Sequence, residues 1–140
     1  MDLEALPALI AQLRERLTPI EEVRLAVLFG SAATGGTGPM SDVDVGLLLD
    51  PYSPEIRGHV EAELYRAARK PVDTVLLDDA PPLLRFEITR GVLLLEREPG
   101  QWTRFKARAW VDWWDWAPLA RQYNRQIVAK LRKEVQLGPA

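Results

Sequence analysis

Residues 28–50, LFGSAATGGTGPMSDVDVGLLLD, decide how this chain is read. The stretch joins the end of one strand pattern to the whole of another. "VRLAVLFG" (23–30) is a β-branched and aliphatic run closed by glycine, and "DVDVGLLLD" (42–50) is a second such run. Gly35, Gly36, Gly38 and Pro39 lie between them, and no helix survives that composition. The connection is too short for a crossover helix, so the two strands are expected to pair antiparallel.

Outward from this hairpin, "LEALPALIAQLRERL" places Leu3, Leu6, Ile10, Leu13 and Leu17 at helical spacing, ending before Thr18-Pro19. "SPEIRGHVEAELYRAARK" reads as a helix with Ser53 as its N-cap and Pro54 in its first position. "PVDTVLLDD" is a third strand. A short helix, "PPLLRFEITRG", capped by Asp78 or Asp79 and stopped at Gly91, leads to a fourth, "VLLLERE". From Pro99 to Leu137 the pattern is helical and is expected to break near Pro118. The sum is an α/β (α+β) fold, a mixed β-sheet of about four strands flanked by helices. Residues 1–140 are expected to form a single domain with a C-terminal helical tail.

Composition narrows the chemistry. The chain has no cysteine and one histidine, His59, which removes thiolate nucleophiles, thiolate metal sites and any mechanism needing two imidazoles. No apolar run reaches the roughly 18–20 residues of a membrane span, and the acidic first turn is unlike a secretory signal. A cytoplasmic location without membrane contact is expected. The net charge of −2 is split: residues 101–140 hold 8 Lys+Arg against 3 Asp+Glu, and residues 1–100 hold 10 against 17. A basic tail beside an acidic body suits an anionic ligand or an acidic partner, and equally a solvated helix face.

Three nucleotide-site templates compete for the opening stretch. A phosphate-gripping loop needs Gly-Lys-Ser/Thr, and no lysine lies between Gly30 and Asp50. "GSAATG" (30–35) matches a variant of the dinucleotide fingerprint, and Asp50 stands at a suitable distance. That fingerprint needs its last glycine inside a helix, which the glycines and proline that follow forbid. Metal-dependent nucleotidyl transfer uses every feature. Asp42 and Asp44, two apart in a strand, project from the same face while Val43 and Val45 enter the core. Paired carboxylates are hard oxygen ligands for Mg2+, one ion or two, with room left for phosphates. Asp73 in "PVDTVLL" is the natural third acid and a base for an attacking hydroxyl. Gly30 lets backbone approach a phosphate, and Ser31 adds a hydroxyl donor.

Gly30-Ser31, ten residues and then Asp42-x-Asp44 resembles the signature of the DNA polymerase β-like nucleotidyltransferases, and more closely their minimal members. The resemblance extends to Ser41, the "VDTV" strand, "PPLLRFEITRGVLLLERE", and a helical tail with Asp112 and Tyr123. Many minimal members are antitoxins paired with a HEPN ribonuclease toxin, transferring AMP from ATP to a toxin tyrosine. The resemblance implies a nucleotidyltransferase fold, ATP and Mg2+ as nucleotide and cofactor, and a cognate HEPN toxin as partner. By position it implies Gly30 and Ser31 on the triphosphate, and Asp42, Asp44 and Asp73 on the metal. Family members often carry an arginine where this chain has Thr34. Direct nucleic-acid binding is not expected. Two alternatives remain: a module that neutralises its partner by occlusion, and transfer to a small aminoglycoside-type acceptor.

Several residues have plainer readings. His59 is expected on a helix surface and Asp50 in a turn. Arg85 and Arg90 are within range of a phosphate. Trp110, Trp113, Trp114 and Ala117 share a helical face and are expected mainly in the core, with Trp116 on another face and free for a partner.

Overall fold

The computed structural model describes residues 5–30, 33 and 43–137, apart from the side chains of 120, 124, 127, 128, 131 and 134–137. The elements run α1 (Ala5–Leu17), β1 (Val23–Phe29), β2 (Val43–Leu49), α2 (Pro54–Ala68), β3 (Val72–Leu76), α3 (Pro82–Ile88), β4 (Val92–Glu96) and α4 (Gln101–Leu137). The four strands form one sheet in the order β3-β2-β1-β4. β1 pairs antiparallel with both β2 and β4, and β2 pairs parallel with β3. The parallel pair needs a crossover, and α2 supplies it.

The mixed sheet is therefore the expected one, and its two faces differ. Ala26 and Leu28 of β1, Val43, Val45 and Leu47 of β2, and Leu94 of β4 pack against Leu13 and Leu17 of α1 and Val60 and Leu64 of α2. On the other face Leu25, Val27 and Phe29 of β1 meet Leu77, Ile88 of α3, and Trp102 and Phe105 of α4. β1 is buried on both faces, which explains why its sequence runs apolar without alternation. Each fully buried leucine contributes about 1.5–3 kcal/mol.

Local signals set several boundaries. The Ser53 hydroxyl accepts from the Ile56 amide at 3.1 Å, capping α2 one residue before Pro54. At the other end Arg69 turns left-handed (φ 57°) and donates to the Tyr65 carbonyl. Two expectations fail. Neither Asp78 nor Asp79 caps α3: its N-cap position is Pro81, with no side-chain bond. The two aspartates stand in the turn after β3, where the Asp79 amide donates to the Leu76 carbonyl. Nor does α4 break at Pro118; it runs unbroken for 37 residues with the proline inside. The ring removes one backbone donor, while good helix formers on both sides keep the helix going.

Candidate active site

The sheet builds the site at the end where β1 finishes and β2 begins. Val43 and Val45 are fully buried against α1 and α2, which turns Asp44 to the opposite face, where it is half-buried. The register then lines up three residues across neighbouring strands: Phe29 opposite Asp44, and Asp44 beside Asp73. Residues level in adjacent parallel strands point to the same face, about 4.8 Å apart along the sheet. The two carboxylates thus stand side by side, with Asp73 the more exposed.

Gly30 completes this corner. Its φ of +77° is a conformation that L side chains rarely adopt, and a Cβ there would lie 2.5 Å from Asp44 Oδ2. Glycine is therefore required twice over, for the turn and for the carboxylate beside it. Asp42 and Ser31, expected as metal ligand and triphosphate donor, lie outside the described residues, as does Thr34. Among the described residues no three His, Cys, Asp or Glu gather around one point. Asp44 and Asp73 form the carboxylate pair.

Asp73 stands on an edge strand, and α2 fastens that strand. Arg57 donates to the Thr74 carbonyl at 3.0 Å and hydroxyl at 3.2 Å, and the hydroxyl donates to Glu61 at 3.0 Å. An Arg57–Glu61 ion pair at 3.1 Å closes the ring. This network sits one residue beyond Asp73, on the far side of the sheet.

Gly46, without a role in the sequence reading, and Gly91, read there only as a helix stop, hold the floor under the site. A Cβ on Gly46 would reach Leu77 at 2.8 Å, so α3 lies tight on β2. A Cβ on Gly91 would strike the Leu28 carbonyl, so the chain re-enters the sheet beside β1 only as glycine. For Gly46 the signal was present, a glycine inside a strand pattern marking close approach.

The arginines divide. Arg85 is turned between α3 and α4, 3.5 Å from Asp112 and over the Phe105 ring. Arg90 follows α3 at the carboxylate end and lies over Phe86, 5.0 Å from the ring centre. The tryptophans correct the core expectation. Trp113 stacks on Phe86 at 5.0 Å, yet Trp110 is 48% and Trp114 67% exposed. α3 has only seven residues and covers one side of α4. His59 is exposed, as expected. It borders a groove of about 1220 Å³ between α1 and α2, in the layer opposite the carboxylates.

The chain matches the polymerase beta nucleotidyltransferase family over residues 11–100. It is 30% identical over 115 residues to the protein adenylyltransferase MntA of Aphanizomenon flos-aquae, covering 71% of this chain and 77% of that protein. In fold it resembles a chain of a toxin–antitoxin crystal structure with AMP-PNP, at a TM-score of 0.69 and 21% identity over 86% of this chain and 98% of the other. It likewise resembles a chain from a complex of tri-AMPylated Shewanella oneidensis HEPN toxin with MNT antitoxin (TM-score 0.64, 20% identity, 89% and 98% covered). The antiparallel β1–β2 corner, the level carboxylates of β2 and β3 and these matches agree: the chain belongs to the polymerase β nucleotidyltransferase family, alongside the MntA protein adenylyltransferases.

Proposed function

We propose that this chain is a Mg2+-dependent protein adenylyltransferase antitoxin that moves AMP from ATP to a tyrosine of a cognate HEPN toxin. The observation that carries the reading is the level pair Asp44–Asp73 against Gly30, a strand-borne carboxylate pair beside a bare backbone turn. The family and the MntA relative give the reaction class, and the AMPylated toxin partner of the structural neighbour suggests the acceptor.

The donor set suits a hard divalent ion, since both groups are carboxylates and so supply hard oxygen donors. Asp44 and Asp73 would hold Mg2+ together with Asp42. When bound, the metal supplies charge neutralisation at the triphosphate. Gly30 gives phosphate oxygens room against the backbone, and Ser31 adds a hydroxyl donor. Asp73, the more exposed carboxylate, takes the proton of the tyrosine hydroxyl. The oxygen–α-phosphorus bond forms as the bond to the bridging oxygen breaks, and pyrophosphate leaves. Among the described residues no helix is long and apolar enough to cross a membrane, and the need for ATP puts the reaction in the cytoplasm.

Intact-mass spectrometry tests this. The cognate toxin, ATP and Mg2+ are incubated with the wild type or the Asp42→Asn, Asp44→Asn variant. The expected result is additions of about 329 Da, one AMP each, with the wild type only. An unmodified toxin that stays bound to and silenced by both proteins sinks transfer and leaves occlusion. The exposed aromatics of α4 are the observation that favours that second reading.

A further inference from the structure

α4 begins at the end of the sheet remote from the carboxylates. β4 runs from Val92, level with Leu28, to Glu96, level with Leu25, and the Trp102 amide donates to Glu96 at 2.9 Å. From there the helix returns along α3, its Trp110 and Trp113 meeting Phe86. A helix of 37 residues is about 55 Å long, whereas a seven-residue strand spans about 23 Å. α4 is thus more than twice as long as a strand. Its course from Glu96 to Phe86, which Arg90 covers just before Gly91 meets Leu28, heads toward the end of the sheet that carries Gly30, Asp44 and Asp73.

Ala109, Trp113 and Ala117 face the body, with Ala109 and Ala117 buried. Beside them Trp116, Leu119 and Tyr123 share a neighbouring stripe at helical spacing, 36%, 63% and 63% exposed. Large apolar side chains in such a row mark an interaction surface more often than chance exposure does. Residues 117–137 also carry Arg121, Arg125, Lys130, Arg132 and Lys133 against Glu134 alone. An isologous dimer through this stripe would set that positive charge against itself. A partner with an apolar ridge flanked by carboxylates fits it, and docking there delivers the partner's hydroxyl to the carboxylate end.

We infer that the free stretch of α4, centred on Leu119 and Tyr123, is the surface that docks the acceptor protein beside the carboxylates. This rests on the adenylyltransferase reading for the identity of the acceptor, the HEPN toxin. It concerns affinity, separately from the chemical step.

The test titrates the cognate toxin into the full chain and into its Leu119→Glu, Tyr123→Glu variant by calorimetry. Transfer is followed in parallel at varied toxin and varied ATP, and sedimentation reports the oligomeric state. Both residues are exposed and outside the core, so circular dichroism should be unchanged; Tyr123→Phe, which keeps the ring, should bind as wild type. The expected result is a Kd and a toxin KM raised at least about tenfold, with kcat and the ATP KM unchanged. Unchanged Kd overturns the inference, as does a wild type that binds no toxin. It is equally overturned if the variant only turns a dimer of this chain into a monomer. Lost binding in a chain that never modifies the toxin upholds the docking surface and sinks the transfer reading alone.

Discussion

The two faces of the sheet make opposite use of the same strands. Toward α1 and α2, β2 presents Val43, Val45 and Leu47, all fully buried among leucines and valines. Toward α3 and α4 the same strand presents Asp44, Gly46 and Leu48, a carboxylate, a gap and a half-buried leucine. The first face is sealed by two helices of 13 and 15 residues; the second is covered by a seven-residue helix and one side of α4. Stability is concentrated where nothing needs to enter. The face with incomplete cover holds the carboxylates proposed to meet the ligand, because a sealed carboxylate pair would carry a large desolvation cost.

This division can be broken by experiment. The largest effect is expected from Asp44→Asn: transfer should fall about a thousandfold, some 4 kcal/mol of barrier, with the thermal midpoint almost unmoved. A collapse of the fold instead would make Asp44 structural. Leu64→Ala, on the sealed face, should show the reverse. Urea unfolding should report a loss of about 3 kcal/mol, while kcat of the folded protein stays at the wild-type value; a kcat that drops with it would couple the faces.

Gly30→Ala sits between the two cases. The left-handed turn and the approach to Asp44 Oδ2 both resist a Cβ, so stability should fall by about 2 kcal/mol. Transfer should fall with it, since the displaced group is a proposed ligand, and unaltered transfer would remove Asp44 from the site. Thr74→Val is the smallest. It deletes a hydroxyl that bonds both Glu61 and Arg57, and denaturation should register about 1 kcal/mol. A larger loss of transfer than of stability would show that α2 positions Asp73 through the edge strand.

Much of this was legible because it depends on short-range rules. Period-two alternation set the direction of Asp44 against Val43 and Val45, and a loop unable to form a helix made β1 and β2 antiparallel neighbours. Ser53-Pro54 fixed the start of α2 as a cap does anywhere. The misread points share a different cause. Asp78 and Asp79 have capping side chains, yet α3 starts three residues after Asp79. Pro118 has the chemistry of a helix breaker, yet the pattern on both sides carries the helix through it. Trp110 and Trp114 are spaced like a core stripe, but burial requires cover on every side: Trp110 meets Phe86 and is still 48% exposed, and Trp114 is 67% exposed.

The element types, the antiparallel corner and the acids two residues apart are all readable along the chain, since they follow from local sterics and periodicity. That β3 lies parallel beside β2 and brings Asp73 level with Asp44 is a matter of packing. That step depends on contacts far apart in the chain: α2 packed across the sheet, with Arg57 and Glu61 holding Thr74. The direction of α4 was likewise decided there. Its start at the end of the sheet remote from the carboxylates follows from where β4 finishes, a consequence of strand order that no window of sequence contains.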